Sequence, residues 1–581
     1  MTSRPETSSL LLGESLGDSL WERPAVRAAL LFAAAWLVRV PFQASYLVNW
    51  DSVNFALGVE DFSLEHHQPH PPGYLGYVLL GRLVGWLVGD PVAALTAISV
   101  IAGAAATAGV YLLGRRLATE RTALIAAALF GTSPLVWYYS GVPLTYAVEV
   151  ALALPLVILV LDARERRSQG LLLLAAALLA LMGAVRQTSM VLLFPVWLHA
   201  WFAFPRRTRV LSAAVLAGGM AAWLIPLLAL SGGPSAYFEL SSQLAQLTGG
   251  GTWIGAGLGV AKNFLLVAVA AVLGLPVALL AIPLATAGRS PAEPLRPQHR
   301  RLLLLWGLPA LLVYLFIHIG QLGYLLLILP VGSLWAARVV DGALARSSMR
   351  AAVAGVLVVV NVGGYFVLPE MAYAGVRSGS VDVPERVGGA ASVERGLQQV
   401  SLSRNDAFWE SLIEWIEGYD PATVGVLAEP RFTGTFRHLC FYLPDYTVYG
   451  IGRDTSGLFG HLFTSAGRET DYSVEKLDGA SPHLLLPAEV RTLLIPDPGL
   501  QERVEGALEL EHHELADGST VALAEVPEGS SLLFLASSEE TLLMRWSSRR
   551  AAFEGFSPEA PRDPDPAAAG PAATRAASGG G

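Results

Sequence analysis

Apolar runs of roughly 20 residues, separated by short breaks rich in Arg, Pro or Gly, fill the chain up to about residue 370. A helix that crosses a bilayer needs about 20 mostly apolar residues. Runs of that kind lie near 27–48, 91–113, 122–138, 143–161, 170–186, 189–204, 210–230, 262–286, 302–318, 321–337 and 351–368. The pattern therefore predicts about eleven spans. Arg23 and Arg27 precede the first run as they would in a signal peptide, but the long lead, Arg39 within the run and the lack of a small-residue cleavage site favour a retained helix.

The breaks alternate in charge. Arg115, Arg116 and Arg121 share one loop; Arg164, Arg166 and Arg167 a second; Arg206, Arg207 and Arg209 a third. Arg289, Arg296, Arg300 and Arg301 mark a fourth, and Arg338, Arg346 and Arg350 a fifth. The loops between them, near 138–143, 231–261 and 319–320, hold neither Lys nor Arg. Positive charge marks the cytoplasmic side, so the loop that starts at Asn49 and everything after about 369 are expected outside. The apolar interval 73–88 is short, with Pro71-Pro72 before it and Gly89-Asp90 after it. Counting it as a span would invert every later loop, so it reads as a helix lying along the outer leaflet.

After about 384 the pattern becomes that of a water-soluble domain. Residues 406–419 space Phe408, Leu412, Trp415 and Ile416 as a helix does. Short β-rich runs at 424–428, 447–449, 483–486, 492–496 and 520–526 read as strands. Beyond about 555 the chain is Pro, Ala and Gly with scattered charges, which cannot bury a core. The expected fold is an α-helical polytopic membrane protein with a C-terminal extracytoplasmic α/β domain. Its parts are a cytoplasmic segment 1–26, a membrane domain 27–370 with its first outer loop at 49–90, an α/β domain 371–535 and an unstructured tail 536–581.

Composition agrees: 53% of residues are hydrophobic and only 15% charged, where a soluble chain carries about a quarter. A net charge of −9 argues against nucleic acid as a partner. Cys440 is the only cysteine, which rules out an intrachain disulfide and a cysteine metal cluster.

Candidate chemistry concentrates on the expected outer side. Asp51 stands where the first span ends, a costly place for a carboxylate. It suits a general base that takes a proton from an acceptor hydroxyl, or a helix cap facing water. Glu60 and Asp61, in the same loop, could bind an acceptor or a divalent cation, or form a solvated acidic surface. His66, His67 and His70 lack the spacing of a helical zinc motif, and the prolines around His70 point to a rigid loop. Arg186-Gln187 ends a span on the side where Arg is disfavoured, so Arg186 could hold a phosphate or snorkel to headgroups. Lys262 repeats that argument more weakly. Glu149 lies inside a span, where it could pair with an Arg or serve a pocket. Tyr138 and Tyr139 near its outer end, with His318, Gln321 and Tyr324 in a short outer loop, could line the same pocket or belong to an interfacial belt.

Three of these features carry a resemblance: Trp50-Asp51 after the first span, His70-Pro71-Pro72-Gly73 before the interfacial helix, and Gly114-Arg115-Arg116 closing the next span. Together with Tyr324–Pro330 they resemble the GT-C superfamily of polytopic glycosyltransferases, which includes protein O-mannosyltransferases and lipid A aminoarabinose transferases. The resemblance covers about 25–370. It implies a GT-C-like membrane domain and a transferase that uses a polyprenyl-phosphate-linked sugar on the outer membrane face, with Asp51 as the base and inversion at the sugar. The acceptor would be a glycan, lipid or protein. The chain departs from the O-mannosyltransferase pattern in having Ser52, not a second acid, after Asp51. Two other classes compete. A secondary transporter could use Glu149 and Arg39 as a path, although no inverted repeat is visible; a non-catalytic glycan-binding or assembly protein would not need Asp51.

Overall fold

The computed structural model describes residues 23–247, 257–274, 295–343, 347–367, 399–429 and, with short interruptions, 435–554. It divides into two compact units, Met1–Ser411 and Leu412–Gly581.

The first unit is helical. Its order is α1 (Pro24–Arg39), α2 (Trp50–Glu60), α3 (Leu75–Val88), α4 (Pro91–Leu117), α5 (Glu120–Thr132), α6 (Pro134–Ser140), α7 (Tyr146–Arg166), α8 (Gln169–Val185), α9 (Gln187–Trp201), α10 (Arg206–Leu230), α11 (Pro234–Leu247) and α12 (Gly257–Gly274). Then come α13 (Pro297–Phe316), a 3-10 segment (Leu322–Leu327), α14 (Leu329–Ala343) and α15 (Ser347–Phe366). Local chemistry sets several starts. Asp90 caps α4 through the Ala93 amide at 2.6 Å, with Pro91 at the first helical position. Thr119 caps α5 in the same way.

Helices stand at the expected positions as far as these are described, but among the described residues fewer than the expected number are long and apolar enough to cross. Among the described residues six are long and apolar enough to cross a membrane: 24–42, 91–117, 146–166, 206–230, 297–316 and 348–366. A seventh exists if α5 and α6, bent by 60° where Pro134 removes a backbone donor, form one span. The others fall short. The 17 residues of α8 and the 15 of α9 would extend only about 26 Å and 23 Å, against a hydrocarbon core of about 30 Å. The run at 262–286 is described only to Gly274, and that at 321–337 opens with the 3-10 segment. Helix α3, at 14 residues, is also too short to span, and it exposes Leu83, Trp86 and Leu87.

Side-chain bonds sort the helix ends into two sets. At one end Arg116 of α4 reaches Asp162 of α7, Arg164 of α7 reaches the His199 carbonyl of α9, and Arg167 reaches the Ala203 carbonyl. Glu149 of α7 meets Ser189 of α9 at the opposite end. Helices α7 and α9 therefore run in the same sense, and α8 returns between them. All the Arg-bearing breaks just named share one end, as the charge alternation implies.

The division between the units falls within α16 (Gln399–Glu417). The second unit contains β1 (Val424–Ala428), α17 (Phe436–Tyr442), β2 (Val448–Arg453), β3 (Gly460–Ala466), β4 (Glu469–Asp471), β5 (His483–Leu485), β6 (Thr492–Ile495), α18 (Pro498–Val504), β7 (Glu511–Glu514), β8 (Thr520–Glu525), β9 (Ser530–Ala536), β10 (Thr541–Ser547) and β11 (Ala552–Glu554). A mixed sheet runs β4-β3-β2-β1-β6-β8-β7, with β1 parallel to both neighbours; an antiparallel sheet runs β11-β10-β9-β5. Leu427, Ile451, Leu493 and Ile495 on the large sheet pack with Leu500 and Val504 of α18. Strands β10 and β11 lie where the tail at 536–581 was expected to be unstructured. A full antiparallel register with β9 pairs the backbone of β10, and β11 pairs with β10 in turn. Residues after 554 lie outside the described set.

Candidate functional site

Asp51 occupies the first turn of α2, where the helix dipole favours a carboxylate. Its position is fixed by a capping box. The Asn49 side chain accepts from the Ser52 amide at 3.0 Å, and the Ser52 hydroxyl accepts from the Asn49 amide at 3.0 Å. The turn before it is tied from far along the chain: Asp406 accepts from the Ser45 and Tyr46 amides at 2.8 and 3.1 Å, and Asn405 donates to the Leu47 carbonyl. Gln321 Nε2 donates to Asp51 Oδ2 at 2.8 Å. The other oxygen, Oδ1, lies 3.7 Å from His70 Nδ1, and the Asp51 side chain keeps 30% of its surface.

His70 is carried by the Pro-rich turn. Gly73 sits at φ +104, and a Cβ there would come within 2.6 Å of Leu227 Cδ1, so glycine suits both the conformation and the space. Gln187 Nε2 and the Tyr237 hydroxyl both donate to the Pro72 carbonyl, at 3.2 and 3.3 Å. The turn is thus pinned to α9 and α11. Burial holds His70 below the ordinary histidine pKa; the Asp51 carboxylate opposes this and the Arg186 guanidinium reinforces it. Its imidazole is neutral at pH 7. Burial also raises the neighbouring Tyr74, whose hydroxyl feels both Arg186 and Asp51.

Arg186 is the single extended residue between α8 and α9. Its side chain is almost wholly buried and meets Glu149, equally buried, at 3.0 Å. The same Nη1 donates to Thr145 Oγ1 at 3.2 Å, while Thr145 and Ser189 donate to Glu149. The guanidinium lies 4.8 Å from the Tyr146 ring centre and 4.4 Å from that of Tyr324, cation–π distances that hold it in place. So Glu149 takes the pairing alternative. It pairs with Arg186 and not with Arg39, which donates to the Ala35 and Gly131 carbonyls beside Trp137.

The remaining candidates divide. Tyr139 packs edge-on against Tyr138 and Tyr146, and Tyr324 joins Tyr146, Tyr314 and the exposed His318. Tyr138, Tyr139, Gln321 and Tyr324 are therefore brought to the Asp51–Arg186 region. Glu60 and Asp61 are not: they end α2, about 14 Å along the axis from Asp51. The side chain of Lys262 lies outside the described residues. Among the described residues no group of three or more His, Cys, Asp or Glu side chains is placed to hold a metal ion.

Several members of the site escaped the sequence reading. Thr145 lies four residues before Glu149 on one helical face, a spacing that could have drawn attention to it. Ser189 and Asp406 carry no such signal, because their partners are remote in the chain.

Residues 70–231 match the family described as dolichyl-phosphate-mannose-protein mannosyltransferase. No curated protein sequence matches the chain. Among solved structures, the chain is similar to ArnT from Cupriavidus metallidurans bound to undecaprenyl phosphate, at 13% identity over 86% of this chain and 97% of that one, with a TM-score of 0.49. The apo form of ArnT gives 13% identity over 87% and 99%, with a TM-score of 0.48. An Archaeoglobus fulgidus oligosaccharyltransferase complex with zinc and sulfate gives 17% over 70% and 60%, with a TM-score of 0.36. TM-scores at this level decide nothing about the reaction. The family match spans His70 to Arg186 and agrees with the resemblance drawn from the motifs.

Proposed function

We propose that this chain, a membrane glycosyltransferase resembling the GT-C superfamily, moves a sugar from a polyprenyl-phosphate donor to an acceptor hydroxyl on the extracytoplasmic face. The observation that carries the reading is the convergence on Asp51 of Gln321 and His70, on the end of the bundle that also holds Arg186. The family matched over 70–231 is named for a dolichyl-phosphate-linked mannose, which supports an isoprenoid phosphate as the carrier.

In this reading Asp51 accepts the proton of the acceptor hydroxyl as its oxygen attacks the anomeric carbon. The bond from that carbon to the phosphate oxygen breaks, and the lipid phosphate leaves with the electron pair. Gln321 fixes one carboxylate oxygen, so the other is presented to the acceptor. Arg186 shares its charge with Glu149, so it offers the departing phosphate oriented N–H donors held by two aromatic rings. Preorganised donors of this kind stabilise charge as it develops. Direct displacement would invert the sugar, as the resemblance implies. The acceptor class stays open among glycan, lipid and protein: Ser52, where the O-mannosyltransferases have a second acid, is used here to cap α2.

The test is to present the purified full chain in lipid with a panel of polyprenyl-phosphate sugars and to assay released polyprenyl phosphate. Release or transfer with one donor supports the reading. Solute flux in proteoliposomes that needs no lipid-linked sugar would replace it with transport.

A further inference from the structure

We propose that a cavity at the Arg-rich end of the bundle, between the end of α7 and the start of α13, binds a phosphate group. The inference is separate from the reaction proposed above, whose residues lie at the opposite end. The cavity has a volume of about 480 Å³. Arg164, Glu165 and Arg167 line it from the end of α7, and Arg296 and Gln298 from the start of α13.

Its arginines lack the counter-charges that their neighbours have. Arg116 and Arg166 share Asp162, which does not line the cavity. Among the described residues, no carboxylate forms an ion pair with Arg164, Arg167 or Arg296. Two of the three do hold the end of α9. Arg164 donates to the His199 carbonyl, and Arg167 to the Ala203 carbonyl at 2.8 Å, each through Nη1. A guanidinium carries five N–H donors, so this capping leaves the rest of each fork for another acceptor. The charges that act on Arg164 are those of Arg167 and Arg301, both repulsive. Glu165 is the one carboxylate among the lining residues, and its Oε1 is engaged elsewhere: Gln298 Nε2 donates to it at 3.5 Å, and His299 Nε2 lies 3.2 Å away. Topology alone asks only that arginines stand on this side of the membrane. Gathering three around one cavity without a paired carboxylate is repulsive until an anion enters.

The start of α13 adds to the same demand. Arg296 takes its N-cap position, where an acceptor side chain is usual, and no side chain caps the helix. A helix start presents amides and the positive end of the dipole to an anion. This end supplements the guanidiniums and would not make a site without them. Donors that reach one point from two helices suit the tetrahedral, multiply charged phosphate better than a planar carboxylate. The cavity wall is mostly charged or polar, with Leu161 and Leu302 as its large apolar members. It therefore recognises the phosphate itself, either free or as the headgroup of a lipid that enters from the bilayer.

Isothermal titration and thermal melting of the full chain, in phosphate-free maltoside detergent, test this. The probes are inorganic phosphate and dioctanoyl phosphatidic acid, with sodium chloride at matched ionic strength as the reference. The expected result is saturable binding of a phosphate probe at one site, with a Tm several degrees above that in chloride. Binding of inorganic phosphate identifies a free anion as sufficient; binding of phosphatidic acid alone identifies a lipid headgroup. Arg296 is exposed, so Arg296→Gln should leave the Tm in chloride unchanged and weaken binding about tenfold. Gln298→Glu, which sets a second carboxylate at the rim, should weaken it as well and serves if the first variant does not fold. Arg206→Gln removes an exposed arginine that does not line the cavity and should bind as the unaltered chain does. No saturable binding of either probe, equal stabilisation by chloride, undiminished binding by Arg296→Gln, or an equal loss in Arg206→Gln would each overturn the proposal.

Discussion

Asp51 depends on residues that join it from both directions along the chain: Asn49 and Ser52 beside it, His70 in the same loop, Gln321 from the far side of the bundle. A hydrogen bond to a charged group contributes about 1.5–3 kcal/mol. Gln321→Ala is therefore expected to lower kcat roughly tenfold or more, with the donor KM changed far less, as steady-state kinetics would show. Breaking the buried Arg186–Glu149 pair costs about 3–5 kcal/mol. Glu149→Ala should lower the Tm sharply, and a double-mutant cycle with Arg186→Ala should be far from additive. Asp497, which accepts from the Glu429 amide and the Thr435 hydroxyl at 2.7 Å, is pushed by burial up to about 6. A raised folded pKa favours the fold at low pH, and that contribution is lost as pH rises from the carboxylate's usual 3.8 through about 6. Asp497→Asn should therefore flatten the pH dependence of the second unit over that window, measured by hydrogen exchange in the full chain. Asp51, His70 and Arg186 were legible because each is out of place by charge or motif. Gln321 was legible only as a pocket candidate, since spacing does not reveal which side chain it meets.

At the level of elements, the turn His70–Gly73 sets where the imidazole stands. Gly73→Ala places a Cβ at φ +104 and against Leu227, a strain of about 1–3 kcal/mol. The expected outcome is a lower Tm and weaker activity; Leu227→Ala should restore only part of the loss, because it removes the contact and not the backbone strain. Helix positions were readable from apolar runs, as was the short helix at 75–88. The number of crossings was not. Hydropathy records apolar length, while the bend at Pro134, the extended Arg186 and the 3-10 segment are matters of backbone geometry. In the second unit β1, β2, β5, β6 and β8 announced themselves through β-branched and Leu-rich runs. Strands β3, β4, β7, β9, β10 and β11 did not: most are polar or mixed and form strands only once a neighbour pairs with them, and the apolar run of β9 falls at the edge of the expected domain.

For the whole molecule, alternating loop charge and the two sets of helix ends agree on one arrangement, with the Asp51–Arg186 region opposite the Arg-rich end. Two exposed sites, Glu239→Cys in α11 and Gln298→Cys in α13, should label from opposite sides of sealed membranes, Glu239→Cys from outside. Labelling of both from one side would reverse or dismantle the proposed topology. The most direct measurement is single-turnover transfer by Asp51→Asn, run beside a donor-binding titration. The account predicts that transfer falls by orders of magnitude while the polyprenyl-phosphate sugar binds about as well as to the unaltered chain. Transfer at an undiminished rate would contradict it.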